Sequence, residues 1–162
     1  MPCLNFTNQK CRGVAVLLAV LLVSVVLVIS LVLLNITYRQ LIISNTARES
    51  EIAWYAAESI FNCARYWDAK GEFVSGVTTV NCAGDNLVVD ESGLTYTFYA
   101  GYQIGDVNTC AKAEIKKDSA ANQTTITAFG YNNRPYDSAG NGSCGTPGPR
   151  TVERALQTEY QG

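Results

Sequence analysis

From Val14 to Leu34 every position is apolar except Ser24 and Ser30, and no charge interrupts the run. As a helix its 21 residues would extend about 31 Å, close to the thickness of a bilayer's hydrocarbon layer. A secretory signal core is shorter, about 7–15 residues, and leads into a small-residue cleavage site. The pattern therefore predicts a segment that stays in the membrane, with both serines bonding back to carbonyls of their own helix. Residues 35–67 contain neither Pro nor Gly. Apolar positions there recur at helical spacing, at Ile52 or Ala53 and then Ala56, Ala57, Ile60, Ala64 and Trp67. Arg39, Arg48, Glu49, Glu51, Glu58, Arg65 and Asp68 take much of the remainder. One helix over residues 14–67 is predicted, roughly 80 Å long, with Gly71 as its C-terminal cap. Residues 36–43, with Tyr38 and Arg39, fall at the level of lipid headgroups.

Beyond the helix the period changes from 3.6 to 2. Residues 72–90 read as an irregular connection holding two short β-type pieces, 77–80 and 87–89. Residues 94–102 alternate, with Leu94, Tyr96, Phe98 and Ala100 on one face and Thr95, Thr97 and Tyr99 on the other. A second strand is expected over 107–116, with Ala111, Ala113 and Ile115 inward, a third over 124–131 and a fourth over 151–160. Residues 132–149, rich in Gly, Pro, Asn and Ser, read as a loop. Short polar turns favour an antiparallel meander laid on the distal helix. The fold class is α+β: a long N-terminal transmembrane and stalk helix packed on a small antiparallel β head. Its parts are a leader over 1–13, a membrane helix over 14–34, a head-packing continuation over 35–70 and a β head over 71–162.

Charge sets the orientation of this arrangement. The chain carries 12 Lys and Arg against 14 Asp and Glu, which leaves no footprint for nucleic acid. Lys10 and Arg12 are the only charged side chains before the apolar run, so the N-terminus is expected to stay inside and the C-terminus to face out. Of the six cysteines, Cys3 and Cys11 precede the run, while Cys63, Cys82, Cys110 and Cys144 follow it. Four cysteines in a small exported head suggest two disulfides, with three possible connectivities, or else free thiols. Chain position favours Cys63–Cys82 and Cys110–Cys144.

Catalytic chemistry is not expected. The chain has no His, so no Ser/His/Asp or Cys/His arrangement is available. The cysteines lack the close spacing of a zinc site, and no glycine-rich phosphate loop is present. Neither a cofactor nor a metal is anticipated.

Arg12-Gly13-Val14 leading into the apolar helix, followed by residues 45–67 (NTARESEIAWYAAESIFNCARYW), resembles the N-terminal region of type IV pilin-like proteins. The nearest form is the PilX-type minor pilin, related to minor pseudopilins of type II secretion. Ala56-Ala57-Glu58-Ser59 resembles a signature of the family's distal helix, and residues 149–160 resemble the closing strand of its heads. The resemblance implies a prepilin peptidase cutting between Gly13 and Val14, with Val14 then N-methylated. It also implies a bacterial inner-membrane precursor whose helix leaves the bilayer to pack with other pilins or pilus assembly proteins. Residues of interest are Val14, Leu18, Ser24, Ser30 and Leu34 in the membrane or filament helix. Ala53, Ala56, Ala57, Glu58, Ile60, Ala64 and Trp67 form the head-packing set. Major pilins carry a glutamate where this chain has Leu18, which points to a minor rather than a major subunit. The other reading is an uncleaved, single-pass membrane protein whose exported head binds a partner.

Overall fold

The computed structural model describes residues 11–137 and 142–161. Residues 1–10 of the expected leader, and the side chains of residues 11–13, lie outside what is described. The first element, α1, is a 59-residue helix over Cys11–Ala69. The chain divides into two compact units, one ending at Asn45 and one over Thr46–Gly162.

In the first unit the described part is helix alone. It is long and apolar enough to cross a membrane. Three of its hydroxyls bond back to their own helix: Ser24 Oγ donates to the Leu21 carbonyl at 2.8 Å, Ser30 Oγ to Val26 at 2.8 Å and Thr37 Oγ1 to Leu33 at 2.9 Å.

The second unit is α+β, with the distal part of α1 packed on an antiparallel sheet. Its strands are β1 (Thr79–Cys82), β2 (Asp85–Ser92), β3 (Thr95–Ile104), β4 (Val107–Asp118), β5 (Gln123–Tyr131) and β8 (Glu153–Gln161). They stand in the order β1-β2-β3-β4-β5-β8. Between β5 and β8 the chain makes a small ribbon of β6 (Tyr136–Asp137) and β7 (Ser143–Cys144).

The helix ends where Gly71 adopts φ 73°. Glu72 N–H then donates to Trp67 O at 3.2 Å and Gly71 N–H to Asp68 O at 2.9 Å, the pair of bonds of a Schellman motif. Alternation in the strands puts one face on the helix. Tyr96, Phe98 and Ala100 of β3, Ala111, Ala113 and Ile115 of β4, and Ile126 and Ala128 of β5 are buried against Ala56, Ile60 and Ala64. Phe73 closes one end of this core, its ring 6.1 Å from Phe98 and 5.6 Å from Tyr96.

Small residues set the distance between the layers. A Cβ on Gly130 would lie 2.1 Å from the Ala53 carbonyl oxygen and 2.4 Å from the Ala57 nitrogen. The helix backbone therefore rests directly on β5, and no side chain fits between them.

Several expectations need correction. The two short β-type pieces expected within the irregular connection 72–90, the second of them longer than expected, pair as a hairpin, so the main sheet has six strands and not four. Ala83 and Gly84 make its two-residue turn with φ 55° and 96°, the geometry of a type I′ turn. Leu94, expected inward, sits just before β3 and is 51% exposed. Glu58, placed in the head-packing set, is exposed; Ala57 and Ile60 on either side of it hold the buried face. The 132–149 loop contains the β6–β7 ribbon, which lies on the sheet face opposite the helix. There a Cβ on Gly101 would come within 2.6 Å of Tyr136 Cβ.

Candidate functional site

The residues singled out from the sequence form surfaces and not a pocket. Val14 is 66% exposed and Leu18 is 56% exposed, and the apolar side chains through Leu34 are likewise uncovered. Ser24 and Ser30 break this cylinder only in name, because their hydroxyls are turned onto their own helix. The backbone is helical on both sides of the Gly13–Val14 junction, since α1 begins at Cys11.

The distal half of α1 does a different job. Ala53, Ala56, Ala57, Ile60 and Ala64 are fully buried on the sheet. Trp67, partly buried, donates its indole N–H to Asn81 O of β1 at 2.8 Å. Cys63, one turn earlier, is joined to Cys82 at the end of β1, with a Cα–Cα distance of 5.8 Å. On the other sheet face, Cys110 of β4 is joined to Cys144 of β7. These bonds staple the first hairpin to the helix and the ribbon to the sheet.

One residue was misread from its charge. Asp68, grouped with the solvated charges, is 8% exposed. Its carboxylate accepts from Lys117 Nζ at the end of β4 and from the Tyr160 hydroxyl of β8. A negative charge in the last turn of a helix opposes the helix dipole, and the Lys117 ammonium offsets it. Spacing would have placed Asp68 correctly, because Ile60, Ala64 and Asp68 recur every four residues along the buried stripe. At the opposite end of β8, Arg154 Nε donates to Ser50 Oγ at 2.8 Å. The last strand is thus tied to the helix at both ends.

Burial, and then the Asp68 carboxylate, raise the Tyr160 phenol well above its usual value. Burial, followed by Glu153, pushes Tyr131 up to about 12, and burial with Asp85 pushes Tyr102 up to about 12. These phenols stay neutral hydrogen-bonding groups through the physiological range. Among the described residues no group of three or more His, Cys, Asp or Glu side chains is placed to hold a metal ion.

No family model matches the chain, and neither a curated protein nor a solved structure matches it.

Proposed function

We propose that this chain is a minor pilin-like subunit that takes part in assembling a type IV pilus or a related secretion filament. It works by packing and not by catalysis. The observation that carries the reading is α1 itself: one unbroken helix over Cys11–Ala69, bare and apolar at its start, and buried on a sheet at its end. A bare apolar helix needs lipid or other apolar helices around it. Taking each Val, Leu or Ile side chain out of water contributes roughly 1.5–3 kcal/mol. Exchange of lipid for neighbouring helices is a low-cost step for a surface with no carboxylate to desolvate, and Leu18 leaves it without one.

On this reading Lys10 and Arg12 hold the leader on the cytoplasmic side of the inner membrane. Prepilin peptidase cuts after Gly13, and Val14 becomes the methylated N-terminus. The head, stapled by its two disulfides, then faces outward at the pilus or cell surface, where it meets other pilins or assembly proteins.

Intact-mass measurement and N-terminal sequencing, in cells with and without an active prepilin peptidase, test the proposal. Processing gives a chain starting at Val14 only when the peptidase is active, and a bulky replacement of Gly13 abolishes the cut. Retention of residues 1–13 beside an active peptidase rejects the proposal in favour of an uncleaved single-pass protein with an exported binding head.

A further inference from the structure

The exported unit carries a polar cleft that neither membrane anchoring nor helix packing uses. It lies where the β3–β4 turn approaches the segment after β5, and it encloses about 420 Å³. Ile52, Val107 and Pro135 line it, and so do Asp106, Asn108, Asn133, Arg150 and, from the helix, Glu49. Among the described residues, the last five of these side chains make no hydrogen bond or ion pair within the chain. A second hollow of about 340 Å³ adjoins it, sharing Asn108 and Pro135 and adding Tyr102 and Tyr136. Both volumes fall in the range of small-ligand sites.

The walls are preformed. Asn132, 3% exposed at the base, donates Nδ2–H to Arg150 O at 3.2 Å and accepts Val152 N–H on Oδ1 at 2.7 Å. The Arg134 guanidinium lies 4.2 Å from the Tyr131 ring, and its Nε–H donates to Gly145 O. The Cys110–Cys144 bond anchors the ribbon that carries Tyr136. The backbone around the cleft is thus set before a ligand arrives, which lowers the cost of binding to that of ordering the exposed side chains of Asp106, Asn108, Asn133 and Arg150.

The lining chooses among ligand classes. Two carboxylates against one guanidinium disfavour an anion. A metal ion would need a ligand cluster, and none is found among the described residues. A peptide side chain would need a deep apolar pocket, whereas Ile52, Val107 and Pro135 are set here among amides and charges. What remains is a ligand that donates and accepts in equal measure. Asn108 and Asn133 each offer an N–H pair and a carbonyl, Glu49 and Asp106 accept from hydroxyls, and Arg150 donates. The ring of Tyr136 supplies a face for C–H groups. We propose that this cleft binds a neutral saccharide, one sugar unit among the amides and a second toward Tyr136.

The test uses the full chain in detergent micelles, titrated with maltotriose, cellotriose and N-acetylated chitotriose by calorimetry and saturation-transfer NMR. At least one should bind saturably below about 10 mM, and Asn108→Ala or Arg150→Ala should weaken it about tenfold or more, a shift of one decade in Kd. Both side chains lack partners in the fold, so the melting temperature of either variant should match the parent. Absence of saturable binding by all three sugars overturns the proposal. So does binding that both variants retain, or tighter binding of sialyllactose than of any neutral probe. None of these outcomes depends on whether the chain is cut after Gly13.

Discussion

Residues 14–45 and 46–69 share one helix, yet they obey different rules. In the first stretch every side chain is uncovered, and from Val14 to Leu34 all but Ser24 and Ser30 are apolar, so the pattern has length but no direction around the axis. In the second, Ala53, Ala56, Ala57, Ile60 and Ala64 are wholly covered while Trp54, Tyr55, Glu58 and Tyr66 are exposed. The first stretch is shaped by its solvent and the second by a partner within the chain. Small residues are the mark of the second. They let the helix backbone settle on Gly130, whereas Leu, Val and Ile in the first stretch maximise contact with whatever surrounds them.

This contrast predicts where substitutions hurt. Asp68→Ala should have the largest effect, because it leaves Lys117 without its partner and removes the acceptor of Tyr160. We expect about 3–5 kcal/mol lost from the head, read by denaturant unfolding. Ile60→Ala should cost about 2–5 kcal/mol in the same measurement through the cavity it opens.

Alkali should act next. The Tyr102, Tyr131 and Tyr160 phenols are all raised in the folded head above their ordinary value of 10.0. The unfolded chain therefore loses those protons first. Stability should hold steady below about pH 10 and fall as pH rises toward 12, followed by melting temperature. Tyr160→Phe should make that decline shallower.

Leu21→Ala should come last, leaving the unfolding free energy of the head unchanged to within about 0.5 kcal/mol, as for an uncovered site. If Leu21→Ala destabilised the head as much as Ile60→Ala, the two stretches could not be treated as separate.

What the sequence made legible follows the same division. Strong periodicity showed the helix, the buried stripe, and the strands around Phe98, Ala113 and Ile126, because each of those positions has one dominant reason for its residue. The first hairpin showed only as two short β-type pieces, and their pairing was hidden because the turn is Ala83-Gly84 and lacks the Asn-Gly signal that usually marks a type I′ turn. Asp68 was hidden because a lone acid near a helix end looks solvated until its partners, 49 and 92 residues away, are known. Glu58 erred the other way, drawn into the packing set by a motif although its side chain points to solvent. The cleft around Asn108 and Arg150 left no pattern, being assembled from four separate segments.

The Cys63–Cys82 bond has a mechanical side. Tension drawn along the helix passes to the sheet all along the buried stripe, and near the last turn the load divides. Part passes through hydrogen bonds that slip one at a time, and part through a covalent link straight into the outermost strand β1. Reduction of that one bond would turn a rivet into a zipper.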